Sequence, residues 1–322
     1  MSKKRELMLL RHGKANGGDG GDDYHRILTA RGIRDAQHIG VWLEQQDMIP
    51  DLIIASPAER AADTAQKVSK VMGMAEREVR HDHRIYAADL DALLEVVDAL
   101  PESDSRILLI GHNPGLEQLL GWLSRKEVSK LDDRKHLPTA ALAIVRIAES
   151  WCDLTKGCGK LKSITRPDSL PREFPYPGAD GKEWRLRPAY YYNQSAVIPY
   201  RKHESKLEVL IISSRNGSHL VVPKGIKEPE LSLQESAAKE ALEEAGVEGD
   251  VVEEALGSYK YEKWGSDCSV TVYPMKVTHL VPEEEWEERH RGRQWMSPNE
   301  AIKKLNQKEL GKLVKILAAQ YS

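Results

Sequence analysis

Three cysteines in 322 residues, Cys152, Cys158 and Cys268, are too few for an even disulfide framework. None of them forms a C-x2-C pair, which excludes a structural zinc site of that kind. Buried or incidental thiols in a reducing compartment are the expectation, so the chain reads as cytoplasmic. No apolar run reaches the roughly 18 to 20 residues that a membrane span needs. The opening MSKKRELMLLRHG is basic and then apolar, but its apolar part is too short for a signal core and runs into a charged motif. Charge of one sign is also lacking: 47 Lys and Arg against 50 Asp and Glu leave a formal −3. Neither DNA nor an anionic membrane is therefore an expected partner. Tandem repeats and low-complexity tracts are absent, and the length favours two domains over one core.

What is present alternates. LMLL (7–10), LII (52–54) and ILLI (107–110) are short apolar runs without polar alternation, as in strands buried on both faces of a parallel sheet. Between them lie helical patterns at 32–46, where Ala36, Ile39 and Leu43 recur, and at 58–72. Strand–helix alternation predicts an α/β fold with right-handed crossovers. Asn16–Asp23 reads as a glycine-rich loop. Residues 166–190 hold five prolines and little periodicity, so 171–190 reads as a linker between a domain at 1–170 and another at 191–322. The second domain shows strand patterns in AVIPY and KLEVLIIS joined by a charged turn RKHES, a helix after HLVVPKG, further strands at 269–278 and one terminal helix at 298–319, a mixture that suggests α+β or an α/β/α sandwich.

In an open parallel sheet, side chains just beyond the carboxyl ends of strands converge on one crevice. Arg11-His12-Gly13, Ser56-Pro57 with Arg60, and Gly111-His112-Asn113 each follow an apolar run. Two imidazoles and two guanidiniums together make an anion site, and arginine forks suit phosphoryl oxygens. Neighbouring cations depress a histidine pKa and keep a nucleophilic lone pair available. The chemistry that fits is phosphoryl transfer to His12 followed by hydrolysis, with Arg11, Arg60 and His112 neutralising the transferring group and no metal required.

These residues carry a resemblance. LLRHGKA, LTARGIRDAQHIGVWL, PDLIIASPAERAADTA, ILLIGHNPGLEQLLGWL, LPTAALAIVRI and TRPDSL together resemble the histidine phosphatase superfamily, and more narrowly its short SixA-type phosphohistidine phosphatases. The resemblance implies His12 as the phosphorylated nucleophile and Arg11, Arg60 and His112 as the phosphate pocket. Larger members carry an acidic proton donor in an inserted helical segment that has no counterpart here; Asp22 or Asp23 is the candidate for that role. Without an acid, a good leaving group such as phosphohistidine is favoured.

The second constellation is SLQESAAKEALEEAGV, 232–247. Ser232-x-x-Glu235 is a capping-box pattern and Gly246 stands where a helix-ending glycine belongs. Ala237, Ala238, Ala241, Leu242 and Ala245 form one apolar side. Glu240, Glu243 and Glu244 share a face through i, i+3 and i+4 spacing. Such a face is either solvated or holds a hard cation such as Mg²⁺ or Mn²⁺. From Gly225 to Val247 the text G-x5-L-x7-K-E-A-L-E-E-A-G-V resembles the Nudix box, with Leu231 for its usual Glu and Lys239 for its usual Arg. EVLIISSRNGSHLVVPKG and RQWMSPNEAIKKL extend the resemblance, most closely to the branch of diphosphoinositol and diadenosine polyphosphate hydrolases. It implies an α/β/α sandwich, a Mg²⁺ or Mn²⁺ site at Glu240, Glu243 and Glu244, and supporting roles for positions 231 and 239. Loss of both supports together is milder than loss of one, and Glu235, four residues before Lys239, is its expected partner. Arg215, Lys224, Lys227 and the run Arg289-His290-Arg291-Gly292-Arg293 are candidates for holding substrate phosphates.

The expectation is a bifunctional phosphohydrolase. A Mg²⁺-dependent domain cleaves a diphosphate bond in a nucleoside or dinucleoside polyphosphate, and a metal-independent domain dephosphorylates through His12, acting on the first product or on a phosphohistidine protein. The alternative is a protein phosphohistidine phosphatase with a nucleotide-sensing or weakly active Nudix domain.

Overall fold

The computed structural model describes residues 5–17, 22–74, 78–124, 137–148, 150–177 and 182–321. Part of the glycine-rich segment Asn16–Asp23 lies outside them. The chain divides into two compact units, Met1–Arg172 and Glu173–Ser322.

In the first unit the elements run β1 (Arg5–Arg11), α1 (Ala30–Gln45), β2 (Leu52–Ala55), α2 (Glu59–Met72), β3 (Val79–His81), α3 (Leu90–Asp98), β4 (Arg106–Gly111), α4 (Gly115–Leu123), β5 (Leu142–Ile147) and β6 (Gly159–Thr165). The sheet order is β3-β2-β4-β1-β5-β6. The first four strands are parallel, whereas β5 runs antiparallel to β1 and β6 antiparallel to β5. The parallel sheet expected from the sequence is therefore mixed. β5 follows α4 yet enters beside β1 in the opposite sense, and β6 returns from β5 without a crossover α-helix, so that pair is antiparallel.

The unbroken apolar runs have a simple cause: both faces are covered. Leu7, Leu9, Ile107 and Leu109 enter one core with α3 and α4. Met8, Leu10, Leu108 and Ile110 enter the other with α1 and α2. Successive strand residues point to opposite faces, so an all-apolar run supplies both cores at once.

The second unit opens with a small hairpin, β7 (Phe174–Tyr176) and β8 (Glu183–Arg185). Then come β9 (Asn193–His203), β10 (Lys206–Ser213), β11 (Leu220–Val221), β12 (Lys224–Ile226), α5 (Leu233–Ala245), β13 (Val247–Val251), β14 (Gly257–Lys263), β15 (Ser266–Leu280), β16 (Gln294–Met296), α6 (Pro298–Lys304) and α7 (Lys308–Tyr321). The long strands β9 and β15 pair in parallel at the centre. One sheet face packs on Ala237, Ala241 and Ala245 of α5, the other on Ala301 of α6 and Leu310, Leu313, Val314 and Leu317 of α7. This is an α/β/α sandwich.

Three expectations need correction here. The proline-rich stretch 171–190 is not a bare linker: it holds the β7–β8 hairpin, with Phe174 fully buried and Arg185 stacked 3.3 Å over the Tyr176 ring and 4.6 Å over Tyr192. The single terminal helix is two, because Leu305 leaves helical geometry (ψ 124), is buried and bridges Leu220. The turn between β9 and β10 shrinks from RKHES to Glu204-Ser205, both at positive φ (47° and 62°) as a two-residue hairpin turn requires.

Candidate functional sites

Strands β1 and β4 are adjacent, parallel and in register to Arg11–Gly111, so the residues that follow them emerge side by side. The rings of His12 and His112 lie 5.1 Å apart. Gly13 lets the chain turn from β1 onto α1: a Cβ there would stand 2.7 Å from the Gly32 carbonyl oxygen. The Gly13 N–H donates to Thr64 Oγ1 (2.9 Å), and Thr64 donates to the Arg60 carbonyl (2.6 Å), which ties the His12 turn to α2.

The Nδ1 of His12 lies 2.7 Å from the Gly13 carbonyl oxygen. A carbonyl only accepts, so Nδ1 carries the proton and Nε2 keeps its lone pair. Burial, then the charges of Arg60, Arg11 and Arg26, outweigh that hydrogen bond and push His12 down to about 4. His112 is pushed down to about 3 by burial, by His12 and by Arg60. Both rings are thus neutral near pH 7. Nε2 of His112 meets Ser56 Oγ at 2.8 Å, and Nδ1 is buried with no partner among the described residues. Arg11 donates to the Leu137 carbonyl (3.0 Å).

Asp23 reaches this pocket and Asp22 does not. Arg60 Nη2 donates to Asp23 Oδ2 (2.8 Å), Arg26 Nη1 to Oδ1 (2.9 Å) and the Tyr86 hydroxyl to Oδ2 (3.2 Å). The Asp22 carboxylate instead caps the Tyr24 N–H (3.0 Å). Hydrogen bonds from Arg26 and Arg60 hold Asp23 down to about 2. So placed, it is a carboxylate seated on the Arg60 guanidinium and has no proton to give at neutral pH. Asp23, Arg60, Tyr86, His112 and Asn113 line a cavity of 320 Å³.

Sequence reasoning missed the parts played by Ser56, Thr64, Arg26 and Tyr86. Ser56 follows a strand end and was open to detection by that rule. Tyr86 follows a short 3-10 turn (His83–Ile85) beyond an edge strand, and no spacing announces it.

In the second unit the capping box is present: Ser232 Oγ accepts the Glu235 N–H (3.1 Å) and Glu235 Oε2 accepts the Ser232 N–H (2.8 Å). Gly246 ends α5 at φ 57°, and a Cβ there would strike the Trp286 ring at 2.6 Å. The apolar side is narrower than expected. Ala237, Ala241 and Ala245 are buried with Ser236, while Ala238 is half-buried and Leu242 exposed, because both point away from the sheet.

Glu240 is packed against β12, its carboxylate occupying the place of a Cβ on Gly225. Burial, then Glu244, Glu243 and Glu228, push it up to about 8. Burial also raises Glu243 and Glu244. Glu244 accepts the Lys224 N–H on Oε2 (3.0 Å) and meets Arg291 Nη2 on Oε1 (2.6 Å). Among the described residues, no group of three or more His, Cys, Asp or Glu is already converged on one point as a metal cage. The donor chemistry nonetheless fits a hard divalent ion: crowded, half-buried carboxylates whose charge the surrounding protein does not fully offset.

Lys239 does not pair with Glu235, whose carboxylate is committed to the cap. Its Nζ lies 3.9 Å from Glu228 and 3.8 Å from Glu243. Leu231 is half-buried in the turn before the helix and belongs to neither hydrophobic cluster of the unit. Of the phosphate candidates, Lys224 lies beside the carboxylates, with Nζ 3.4 Å from the Tyr261 hydroxyl. Lys227 turns to the Pro229 carbonyl (3.0 Å) and Arg215 is exposed in the β10–β11 loop. In the basic run Arg289 and His290 are exposed, and Arg293 bonds the Val281 carbonyl (2.7 Å) above the Trp286 ring. Lys224, Tyr259, Tyr261, Asn306, Gln307 and Leu310 share a second cavity of 320 Å³, where the Tyr259 hydroxyl is buried with no partner among the described residues.

Residues 7–86 match the model of the histidine phosphatase superfamily (branch 1), and residues 193–315 match that of the NUDIX domain. The chain joins a histidine phosphatase domain to a Nudix domain. The histidine phosphatase unit is similar to an uncharacterised protein of Mycobacterium tuberculosis, 28% identical over 49% of this chain and 99% of that one. The Nudix unit is similar to Nudix hydrolase 12, mitochondrial, of Arabidopsis thaliana, 38% identical over 34% of this chain and 63% of the relative. Among solved structures, the Ap4A hydrolase of C. elegans in a binary complex is 25% identical over 40% of this chain and 96% of that one, with a TM-score of 0.36. The protein histidine phosphatase SixA with tungstate is 23% identical over 51% and 98%, with a TM-score of 0.43. Both families are hydrolases, and Nudix domains generally need a divalent metal. Among the described residues no helix is long and apolar enough to cross a membrane.

Proposed function

We propose that the chain is a phosphohydrolase with two independent chemistries. In the histidine phosphatase unit, Nε2 of His12 attacks phosphorus and the bond to the leaving group breaks. Water then cleaves the phosphohistidine and releases inorganic phosphate. The observation that carries this reading is the hydrogen bond from His12 Nδ1 to the Gly13 carbonyl, which fixes the tautomer a nucleophile needs. Arg11 and Arg60 supply positive charge for the transferring group. Ser56 Oγ already accepts the Ala58 N–H (3.3 Å), so its proton is available to Nε2 of His112. With Ser56 donating, the His112 proton sits on Nδ1, which has no partner among the described residues and is suited to a phosphoryl oxygen.

In the Nudix unit, Glu240, Glu243 and Glu244 would hold Mg²⁺ or Mn²⁺, which when bound would supply water activation and charge neutralisation for a diphosphate. Lys224 stands beside those carboxylates and at the edge of the tyrosine-lined cavity, joining the charged site to a place for the rest of the substrate. Aromatic walls and the amides of Asn306 and Gln307 suit a planar hydrogen-bonding group, so the substrate class is a nucleoside or dinucleoside polyphosphate.

One observation favours a second reading for the first unit. With Asp23 held ionised, a leaving group that needs little protonation is preferred, which points to phosphohistidine on a partner protein. A panel of nucleotides, dinucleoside polyphosphates, inositol pyrophosphates and a phosphohistidine protein, with and without Mg²⁺, tests both. His12→Ala should remove only metal-independent turnover, and Glu244→Gln only Mg²⁺-dependent turnover. Unchanged nucleotide hydrolysis in Glu244→Gln would refute the metal assignment.

A further inference from the structure

The acidic helix α5 meets its main counter-charge from a distant part of the chain. Arg291 ends the short turn Arg289–Arg291 and is only 7% exposed, unlike Arg289 and His290 beside it. Its Nη2 lies 2.6 Å from Glu244 Oε1, and its guanidinium also pairs with Glu288 three residues earlier. The other oxygen of Glu244 accepts the Lys224 N–H. Both oxygens of this carboxylate are thus engaged by the protein itself. Lys239 does not share the task, since its Nζ lies toward Glu228 and Glu243.

A guanidinium and a divalent ion compete for the same carboxylate oxygen. We propose that Arg291 is a resident counter-cation of Glu244, and that a divalent ion binds the acidic helix by exchange with it. The proposal rests on the metal reading given above. Two features suit an exchange. Glu244 is nearly buried, with 12% of its side chain exposed, so without some cation it would be a costly uncompensated charge. Glu288 stays beside Arg291, so the guanidinium that leaves Glu244 keeps a carboxylate partner. Arg291 is therefore a positioning residue: it holds Glu244 in place before metal arrives, and it sets how tightly metal is taken up.

Mn²⁺ binding to the full chain, measured by calorimetry without substrate, tests this apart from turnover. Arg291→Ala should bind Mn²⁺ about tenfold more tightly than the native chain, the scale of losing one charge-assisted competitor. Arg291→Lys, the milder change, should shift affinity the same way by less, and it carries the test if the alanine variant folds poorly. In a Glu244→Gln background, Arg291→Ala should give no tightening. Equal or weaker Mn²⁺ affinity in both Arg291 variants overturns the exchange while leaving the metal site standing. Absence of Mn²⁺ binding by the native chain overturns the metal site and the exchange together.

Discussion

The carboxylate of Glu240 fills the space that a side chain on residue 225 would occupy: a Cβ on Gly225 would lie 1.7 Å from Glu240 Oε1. The glycine is required by this close approach and not by its backbone angles. Gly225→Ala should therefore leave the fold standing, because the end of a flexible side chain can swing aside. It should still displace Glu240 from the acidic face. Loss of a supporting contact of this sort costs about 10 to 100-fold in metal affinity or activity. Mg²⁺-dependent hydrolysis should fall by that factor with the melting transition little changed, and metal-independent phosphatase activity should stay intact. Full Mg²⁺-dependent activity in Gly225→Ala would show that Glu240 is not needed where it sits.

His12 sets the acid limit of the phosphatase unit. In the proposed mechanism only its neutral form attacks phosphorus, and burial with Arg60, Arg11 and Arg26 pushes its pKa down to about 4. The neutral fraction is then complete near pH 7, persists to about pH 5, and is lost as pH falls through about 4. The kcat/KM profile, corrected for substrate ionisation, should show no His12 inflection near 6.5. Arg60→Gln removes one depressing charge and should move the acid limb upward as well as weakening phosphate binding. An inflection at the ordinary histidine pKa in the native chain would mean that the pocket is wetter and less cationic than its geometry indicates.

The first site was legible in the sequence to an unusual degree, because its residues follow strand ends and parallel strands carry strand ends to one place. Arg11, His12, Arg60 and His112 obey that rule, and the structure brings them together. What it could not reveal was the direction of Asp23, which depends on side chains from three separate elements. In the Nudix unit the capping box and the ending glycine were readable because both are local. The partner of Lys239 was not: Glu235 had the right spacing, but its carboxylate was already used by Ser232. The broken terminal helix was hidden for a similar reason, since Leu305 leaves the helix for a bridge to Leu220, a long-range contact that local periodicity does not register.

Lys239 is one of two departures from the Nudix box, with Leu231, and its surroundings predict little effect from replacing it. Its ammonium is about half exposed and lies 3.8 to 3.9 Å from its carboxylate neighbours. Exposed pairs at such distances contribute roughly 0 to 1 kcal/mol. Lys239→Ala should lower stability by about 0.5 kcal/mol or less in a denaturant titration, and the effect should shrink further in high salt. Lys239→Arg should not raise Mg²⁺-dependent activity much, because Leu231 offers no carboxylate for a fork to engage. A loss of several kcal/mol in Lys239→Ala would mean that the lysine is a structural support comparable to a buried ion pair.

Asp23 makes the opposite case, a carboxylate whose removal should improve binding. It sits on Arg60 through Oδ2, and its backbone carbonyl also accepts from the same guanidinium. In the proposed site a phosphoryl group competes with it for that arginine. Asp23 is held down to about 2, so it stays charged throughout the range in which His12 is neutral, and the competition does not relax with pH. Asp23→Asn removes the charge while keeping the shape. Inorganic phosphate should then inhibit the metal-independent activity several-fold more strongly, read as a lower inhibition constant at pH 7. If Asp23 were instead the proton donor, the same substitution would depress turnover of substrates with poor leaving groups and leave phosphate inhibition as it was. Measuring both quantities on Asp23→Asn separates the two roles, because a displaced competitor raises affinity for the product while a lost acid slows the chemistry.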